Sequence, residues 1–522
     1  MADKAVIIGT GAGGLMAAAS LARAGYEVTA LERGKQLGGY LNPFARRHYH
    51  FDPGVHYVGQ GRAGQQFDEI LGPVGIDASA LFCELDRDGF DVLRFPGFEL
   101  RVCAGLDAYL ARLIDAFPSA REELERYFDL LRIVAKVLAS GDGRPLQWRA
   151  LAAVPGLVRV LRGSFQALLE AKISDPRLRS VLAAQCGDAG LPPSKLAALA
   201  GVSIMLHFAE GAFFPRGGSG GLRDALVDAG EAHGASYRRS AEVRRIHVEH
   251  GQVRAVELLS GERLPADVVV SAIDPTLTYG QLLDPQIVPD RLLAKVHRTE
   301  PSLASICVFL GLERDLRNHG MAAANVWDYP AWDLDAVYAP LLAGRLPERD
   351  WAFFLSPNSL KDDTHAMAPA GCSTLEIVTL APFAPFARFA GRKVSDADYR
   401  AFKVQVVDAL LASLEERWPG LVGDVAVREA ATPLTNIDYA NAPSGGIYGP
   451  ASTCAQTGTR RYRPSTPIQG LYLAGSGTIG AGVMTCLASG AIAAEFALES
   501  RRSRVSESIS RARQAIGGLL TS

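Results

Sequence analysis

Ala5-Val6-Ile7-Ile8 runs into Gly9-Thr10-Gly11-Ala12-Gly13-Gly14, an alanine- and leucine-rich stretch follows, and Glu27-Val28-Thr29-Ala30-Leu31 ends on Glu32. The order is strand, GxGxxG turn, helix, strand and acidic residue, the parts of one βαβ unit. Gly9 is placed for the tight turn, Gly11 for approach of backbone amides to a pyrophosphate, and Gly14 for close packing of helix on strand. The helix that starts here presents unpaired amides and a partial positive charge, which favour phosphate. Glu32 falls where a carboxylate accepts hydrogen bonds from ribose hydroxyls. A glycine turn alone is a weak signal. With the strand before it and the acid after it in register, it predicts a dinucleotide site.

The continuation selects the dinucleotide. Arg33, Gly34 and Lys35 precede Leu37-Gly38-Gly39, and a glycine pair six residues beyond the acid is usual in FAD proteins of the glutathione-reductase type. Such glycines let the chain pass close to the pyrophosphate. Far along the chain, Leu471-Tyr472-Leu473-Ala474 reads as a buried strand that breaks at Gly475-Ser476-Gly477. A helix is expected from Val483 to Leu498. This second helix N-terminus suits the ribityl–pyrophosphate end of FAD, with Gly475, Ser476, Gly482 and Val483 in contact. Arg33, Gly38, Gly39 and Val243 complete that part of the cofactor-binding set. The C-terminal stretch also fits GxGxxG, but no acid-terminated strand follows it, so one nucleotide site is expected and the cofactor is FAD.

At 522 residues the chain exceeds one core. The expected fold class is α/β, a Rossmann-type FAD-binding domain of the glutathione-reductase/phytoene-desaturase type with an inserted mixed α+β substrate domain. The FAD-binding part is expected to be discontinuous: 1–104, 211–275 and 425–500. A hairpin over Ala241–Val248 and Val253–Leu258, turning at His250-Gly251, and a buried strand over Asp267–Ala272 belong to its middle piece. The helical insertion 105–210 and the segment 276–424, with strands at Ala304–Leu310, Trp351–Leu355 and Thr374–Leu380, form the substrate side. Residues 501–522 are a tail, either a frayed helix or disordered. A net charge of −2 gives no pull towards nucleic acid. The seven cysteines contain no CxxC pair, which argues against a disulfide framework, a zinc site or a disulfide-reductase centre. No secretory leader is visible, and no uninterrupted apolar run reaches the roughly 18 residues of a membrane span. A cytoplasmic protein follows, with peripheral membrane contact open to the basic amphipathic stretch Trp148–Lys172.

Four further segments carry chemistry: Phe51-Asp52-Pro53-Gly54-Val55-His56-Tyr57-Val58-Gly59, Cys186-Gly187-Asp188-Ala189-Gly190-Leu191-Pro192-Pro193, Gly211-Ala212-Phe213-Phe214-Pro215-Arg216-Gly217-Gly218-Ser219 and Ala442-Pro443-Ser444-Gly445-Gly446-Ile447-Tyr448-Gly449. Pro215 to Gly221 is too glycine-rich for a stable strand or helix, so it is expected to serve close backbone approach to flavin or substrate. Asp52 and Gly54 are expected to line the isoalloxazine, with His56 or Tyr57 on the substrate side. His48, His50 and His56 lack a completing carboxylate–His spacing, so no metal is expected. His207, on an apolar helix, reads as a satisfied core histidine. Trp327, Tyr329, Trp332, Trp351, Phe353 and Phe354 either wall a long apolar pocket or fill a core.

Together these segments resemble the phytoene desaturase/carotenoid isomerase superfamily of flavoproteins, and within it the retinol saturase branch. The resemblance spans nearly the whole chain, and the GDxGxPP and PxGGS segments are its specific pieces. It implies an oxidoreductase acting on carbon–carbon double bonds of an apolar isoprenoid or polyene lipid, with saturation favoured and desaturation or cis–trans isomerisation as alternatives. Saturation needs a proton donor beside the flavin, and His56, Tyr57 and Tyr448 are the candidates. The electron partner is open: a quinone, a ferredoxin or a transient nicotinamide. An amine oxidase would want an aromatic cage that the sequence does not place. A prenyl-lipid escort protein of this fold lacks flavin, which intact Gly9, Gly11, Gly14 and Glu32 argue against.

Overall fold

The strand Lys4–Ile8 lies between Glu27–Leu31 and Val268–Ser271 and runs parallel to both. Ser236–Arg238 and Leu471–Leu473 extend the sheet at its two edges, so five parallel strands are drawn from both ends of the chain and its middle. The computed structural model describes residues 2–139, 157, 162–393 and 395–519. Successive side chains of a strand point to opposite faces, and both faces are used here. Ala5, Ile7, Val268 and Val270 pack against the helices Ala12–Arg23 and Val483–Leu519. Val6, Ile8 and Val269 pack against a three-stranded sheet of Val243–Glu249, Gln252–Leu258 and Arg263–Pro265. The expected hairpin is its core, turning at His250 (φ 51°) and Gly251 (φ 75°). Burial on both faces explains why Val268–Ser271 and Leu471–Leu473 read as unbroken buried runs.

A second, mixed sheet has the order Val425–Ala431, Ala304–Leu312, Ser373–Ala381, Phe353–Ser356, Asn325–Asp328, Asp91–Phe95, Phe98–Val102. Only the pair Asn325–Asp328 with Asp91–Phe95 is parallel. Asp91–Phe95, Phe98–Val102 and Val425–Ala431, which lie in stretches expected on the flavin side, hydrogen-bond into this sheet. An apolar strand pattern specifies a buried face but not which sheet supplies it. The insertion 105–210 is helical where described, with Leu106–Ala116, Arg121–Ala139, Phe165–Glu170, Pro176–Ala183 and Ala198–His207. Most of Trp148–Lys172 up to residue 161 lies outside the described residues.

Two expectations change. Pro215–Gly221 is not an open loop: Ala212–Pro215 is a fully buried strand and Ser219–Glu231 is a helix, which leaves only Arg216–Gly218 as the turn. The helix starts on glycines because a distant carboxylate holds its first turn, as Ser219 donates its N–H to Asp52 Oδ1 at 2.9 Å. The C-terminal helix also runs past Leu498, and its portion Val483–Arg502 is long and apolar enough, by length and composition, to cross a membrane. In this fold Leu487, Ala493, Ala494 and Ala497 of that portion are buried core.

Candidate active site

A cavity of about 380 Å³ opens at the C-terminal ends of the parallel strands and continues beneath the second sheet. Its first end is the glycine turn. Gly9 takes φ +89°, which an L side chain rarely adopts, and donates its N–H to Leu31 at 2.9 Å. Gly9 and Gly11 face the cavity, and a Cβ built on Gly11 would meet nothing within 4 Å. Gly14 lies behind them, where a Cβ would stand 1.9 Å from the Gly9 carbonyl oxygen. It is a packing glycine, as expected.

Glu32, Arg33, Gly38, Gly39 and Val243 line the same end. Glu32 Oε1 accepts from the Gly34 N–H at 2.8 Å, and Oε2 from the Thr10 N–H at 3.2 Å and the Thr10 hydroxyl at 2.5 Å, which leaves one lone pair, on Oε1, for a ligand. Arg33 turns its guanidinium to the carbonyls of Ile437 and Asp438. At the start of the C-terminal helix, Gly475, Ser476, Gly482 and Val483 form the opposite wall. Two helix N-termini and an acid-ended strand thus converge on one elongated cavity, a donor set that fits a dinucleotide.

The far end is aromatic. Trp327, Tyr329, Tyr338, Phe353, Phe354 and Tyr448 line it, and Phe354 packs on Trp327 with ring centres 4.6 Å apart. Trp332 and Trp351, expected among the wall aromatics, are not part of it. Trp332 stacks on Phe95, and Trp351 is buried in the core of the second sheet. Between the two ends lie Gly54 and His56. The His56 Nδ1 is 2.9 Å from Glu376 Oε2, and its ring meets Phe354 edge-on at 5.3 Å. Burial first, then the nearby Lys361, pushes His56 down to about 3, so the ring is neutral.

Asp52 and Tyr57 flank these residues in sequence yet do not line the cavity. Asp52 is 0% exposed; it accepts from Ser219 and donates its N–H to Glu376 Oε1 at 2.8 Å. A Cβ on Gly218 (φ +79°) would stand 2.5 Å from Asp52 Oδ2, so this glycine is needed for close approach to the carboxylate. Tyr57 stacks on Phe208 with ring centres 4.3 Å apart, and its hydroxyl lies 3.1 Å from Asp91 Oδ2 and 3.2 Å from Asp188 Oδ2. One hydroxyl hydrogen cannot serve two carboxylates. Burial, followed by the Asp91 charge, pushes Asp188 up to about 8, so Asp188 keeps its own proton. His207 accepts from the Gly59 N–H at 2.8 Å on Nε2, while its Nδ1 is buried without a hydrogen-bond partner, so it is not the fully satisfied core histidine expected.

Sequence reasoning missed three ionisable residues around His56 and Tyr57. Glu376 is the one charge in the buried strand Ser373–Ala381, and a lone acid in an apolar run was a legible signal. Asp91 accepts from Asn325, Gln185 and Trp327, partners contributed by the second sheet and the helical insertion. Lys361 donates to the His56 carbonyl, Asn325 Oδ1 and Ser356 Oγ, and no local pattern announces it. Among the described residues no group of three His, Cys, Asp or Glu could hold a metal ion.

Residues 12–498 match the family model described as flavin containing amine oxidoreductase. The all-trans-retinol 13,14-reductase of Danio rerio is 26% identical over 92% of this chain and 85% of its own length. The phytoene dehydrogenase of Streptomyces griseus is 27% identical over 94% of both chains. Among solved structures, an oxidoreductase from Methanosarcina mazei is similar in fold, with a TM-score of 0.63 and 18% identity over 94% of this chain and 99% of that one.

Proposed function

The chain belongs to the flavin-containing amine oxidoreductase family and is an FAD-dependent oxidoreductase of the phytoene desaturase/retinol saturase group, and we propose that it saturates a carbon–carbon double bond of an isoprenoid or polyene lipid. The observation that carries this reading is the aromatic wall continuous with the glycine-lined end of one cavity, with His56 at their junction. An elongated apolar substrate would lie along Trp327, Phe354 and Tyr448, in surroundings that exclude water. The helix N-termini at Gly11 and Gly482 would hold the pyrophosphate, and Glu32 the ribose. Bound FAD supplies hydride exchange at a carbon set against it. The chain's own task is then the proton.

His56 is the candidate that suits that task. Its ring is neutral and borders the cavity, so one nitrogen can carry the proton to the second carbon of the double bond. Tyr448 also borders the cavity, but burial first, then Asp188, holds its hydroxyl well above the usual phenol range. Tyr57 is withdrawn to Asp91 and Asp188 and takes no part.

The likeness to a phytoene dehydrogenase supports the reverse direction as a second reading. The test compares lipid extracts of a polyene-producing host with and without the protein, and again with retinol fed to the cells. A product two hydrogens heavier is the expected result. A product two hydrogens lighter makes it a desaturase, and unchanged mass with altered retention makes it an isomerase. No change in any polyene overturns the lipid assignment and leaves the flavin assignment standing.

A further inference from the structure

Glu376 is 0% exposed on the central strand Ser373–Ala381, where an unpaired carboxylate would be costly. Its two oxygens have separate duties. Oε1 accepts the Asp52 N–H at 2.8 Å, which fixes the carboxyl group; Oε2 lies 2.9 Å from His56 Nδ1, and these two buried atoms have no hydrogen-bond partner in the resting geometry. Lys361 holds the His56 carbonyl from the other side. With Nδ1 turned to Glu376, the ring edge carrying Nε2 is left for the cavity that His56 lines.

Resting on the reading of His56 as proton donor, we propose that Glu376 is a positioning residue that orients the His56 ring and resupplies the proton His56 gives up. Before reaction the carboxyl O–H donates to Nδ1, and Nε2 carries hydrogen. A new C–H bond forms as the Nε2–H bond breaks, while the Glu376 proton passes to Nδ1. The pair ends as carboxylate and neutral ring with hydrogen on Nδ1, having released one proton. The electron pair of the reduction arrives with the hydride from reduced flavin on the neighbouring carbon. One proton from solvent restores the starting state. Burial pushes Glu376 up to about 8, consistent with a protonated carboxyl at neutral pH. The other ionisable groups facing the pair are Asp52 and Lys361, each moved to about 7 by burial, and Cys307, raised well above its usual range.

The test uses the full-length, FAD-loaded protein and its Glu376→Gln variant, with His56→Phe to assign the signal. Histidine 15N spectra need no substrate. In the unaltered protein His56 should pass from the Nε2–H to the Nδ1–H tautomer as pH rises through about 8, whereas in Glu376→Gln it should stay in one tautomer. A switch that persists in the variant, or is absent from the unaltered protein, overturns the proposal. A second readout follows oxidation of photoreduced flavin by all-trans-retinol and by lycopene in detergent, without oxygen. Glu376→Gln should slow it about 100-fold at unchanged flavin content and remove the fall in rate near pH 8. An unchanged rate and pH profile overturns the relay. Should neither lipid oxidise the flavin of the unaltered protein, the substrate reading has failed, and the tautomer measurement still decides the role of Glu376.

Discussion

The Glu32 carboxylate accepts hydrogen bonds from Thr10 and Gly34 and still borders the cavity, so it organises the turn and keeps capacity for ribose. Glu32→Ala should weaken FAD retention by about 10- to 100-fold, since a hydrogen bond to a charged group contributes about 1.5–3 kcal/mol; flavin content after desalting measures it, and an unchanged content would refute the role. Tyr57 sits next to His56 in the chain but answers to different partners. Tyr57→Phe should cost about 1–3 kcal/mol in urea unfolding, because Asp91 and Asp188 lose the hydroxyl between them, while the pH profile of turnover stays as it was. These residues mark how far the site was legible. The glycine fingerprint and its acid were readable because backbone geometry ties residue type to place. Asp52 and Tyr57 were not, because a run such as Phe51–Gly59 winds so that neighbours face opposite ways.

Helix Ala12–Arg23 folds back so closely on the turn at Gly9 that a methyl group on Gly14 has no room. Gly14→Ala should cost about 1–3 kcal/mol of stability, read from chemical unfolding, and lower flavin content, because the Gly9 carbonyl must move to admit the Cβ. Elements whose signal is local, namely this βαβ unit, the hairpin at His250-Gly251 and the strand before Gly475, lie where periodicity and turn residues put them. The departures are elements settled by distant partners. Helix Ser219–Glu231 begins on glycines because Asp52 caps it from elsewhere in the chain. Asp91–Phe95, Phe98–Val102 and Val425–Ala431 join the second sheet through pairings with strands that no local pattern identifies.

For the molecule as a whole, buried ionisable groups give stability a defined dependence on pH. Burial raises Asp91 to about 6, Asp52 to about 7, and Asp188 and Glu376 to about 8. A carboxyl that binds its proton more tightly when folded stabilises fully below its unfolded value of about 4, and this is lost as pH rises through the folded value. His56 and His207 are lowered to about 3 and about 4, so their contribution is complete above about pH 6.5 and is lost as pH falls. Lys361, lowered to about 7, opposes the carboxyls only on the alkaline side. From these groups the melting temperature should therefore be highest at about pH 4 and fall towards pH 8, and Asp188→Asn should flatten that fall; a thermal melt series from about pH 3 to 9 checks both. The strand order carries one more consequence. Leu471–Leu473 borders Val268–Ser271, which borders Lys4–Ile8, so neighbours in space are emitted by the ribosome hundreds of residues apart. The wall at Gly475–Val483 is translated hundreds of residues after the first βαβ unit, so a nascent chain can form that unit early yet has no finished flavin cradle to close. Whatever the order of folding, the cradle closes only when segments hundreds of residues apart have both been made.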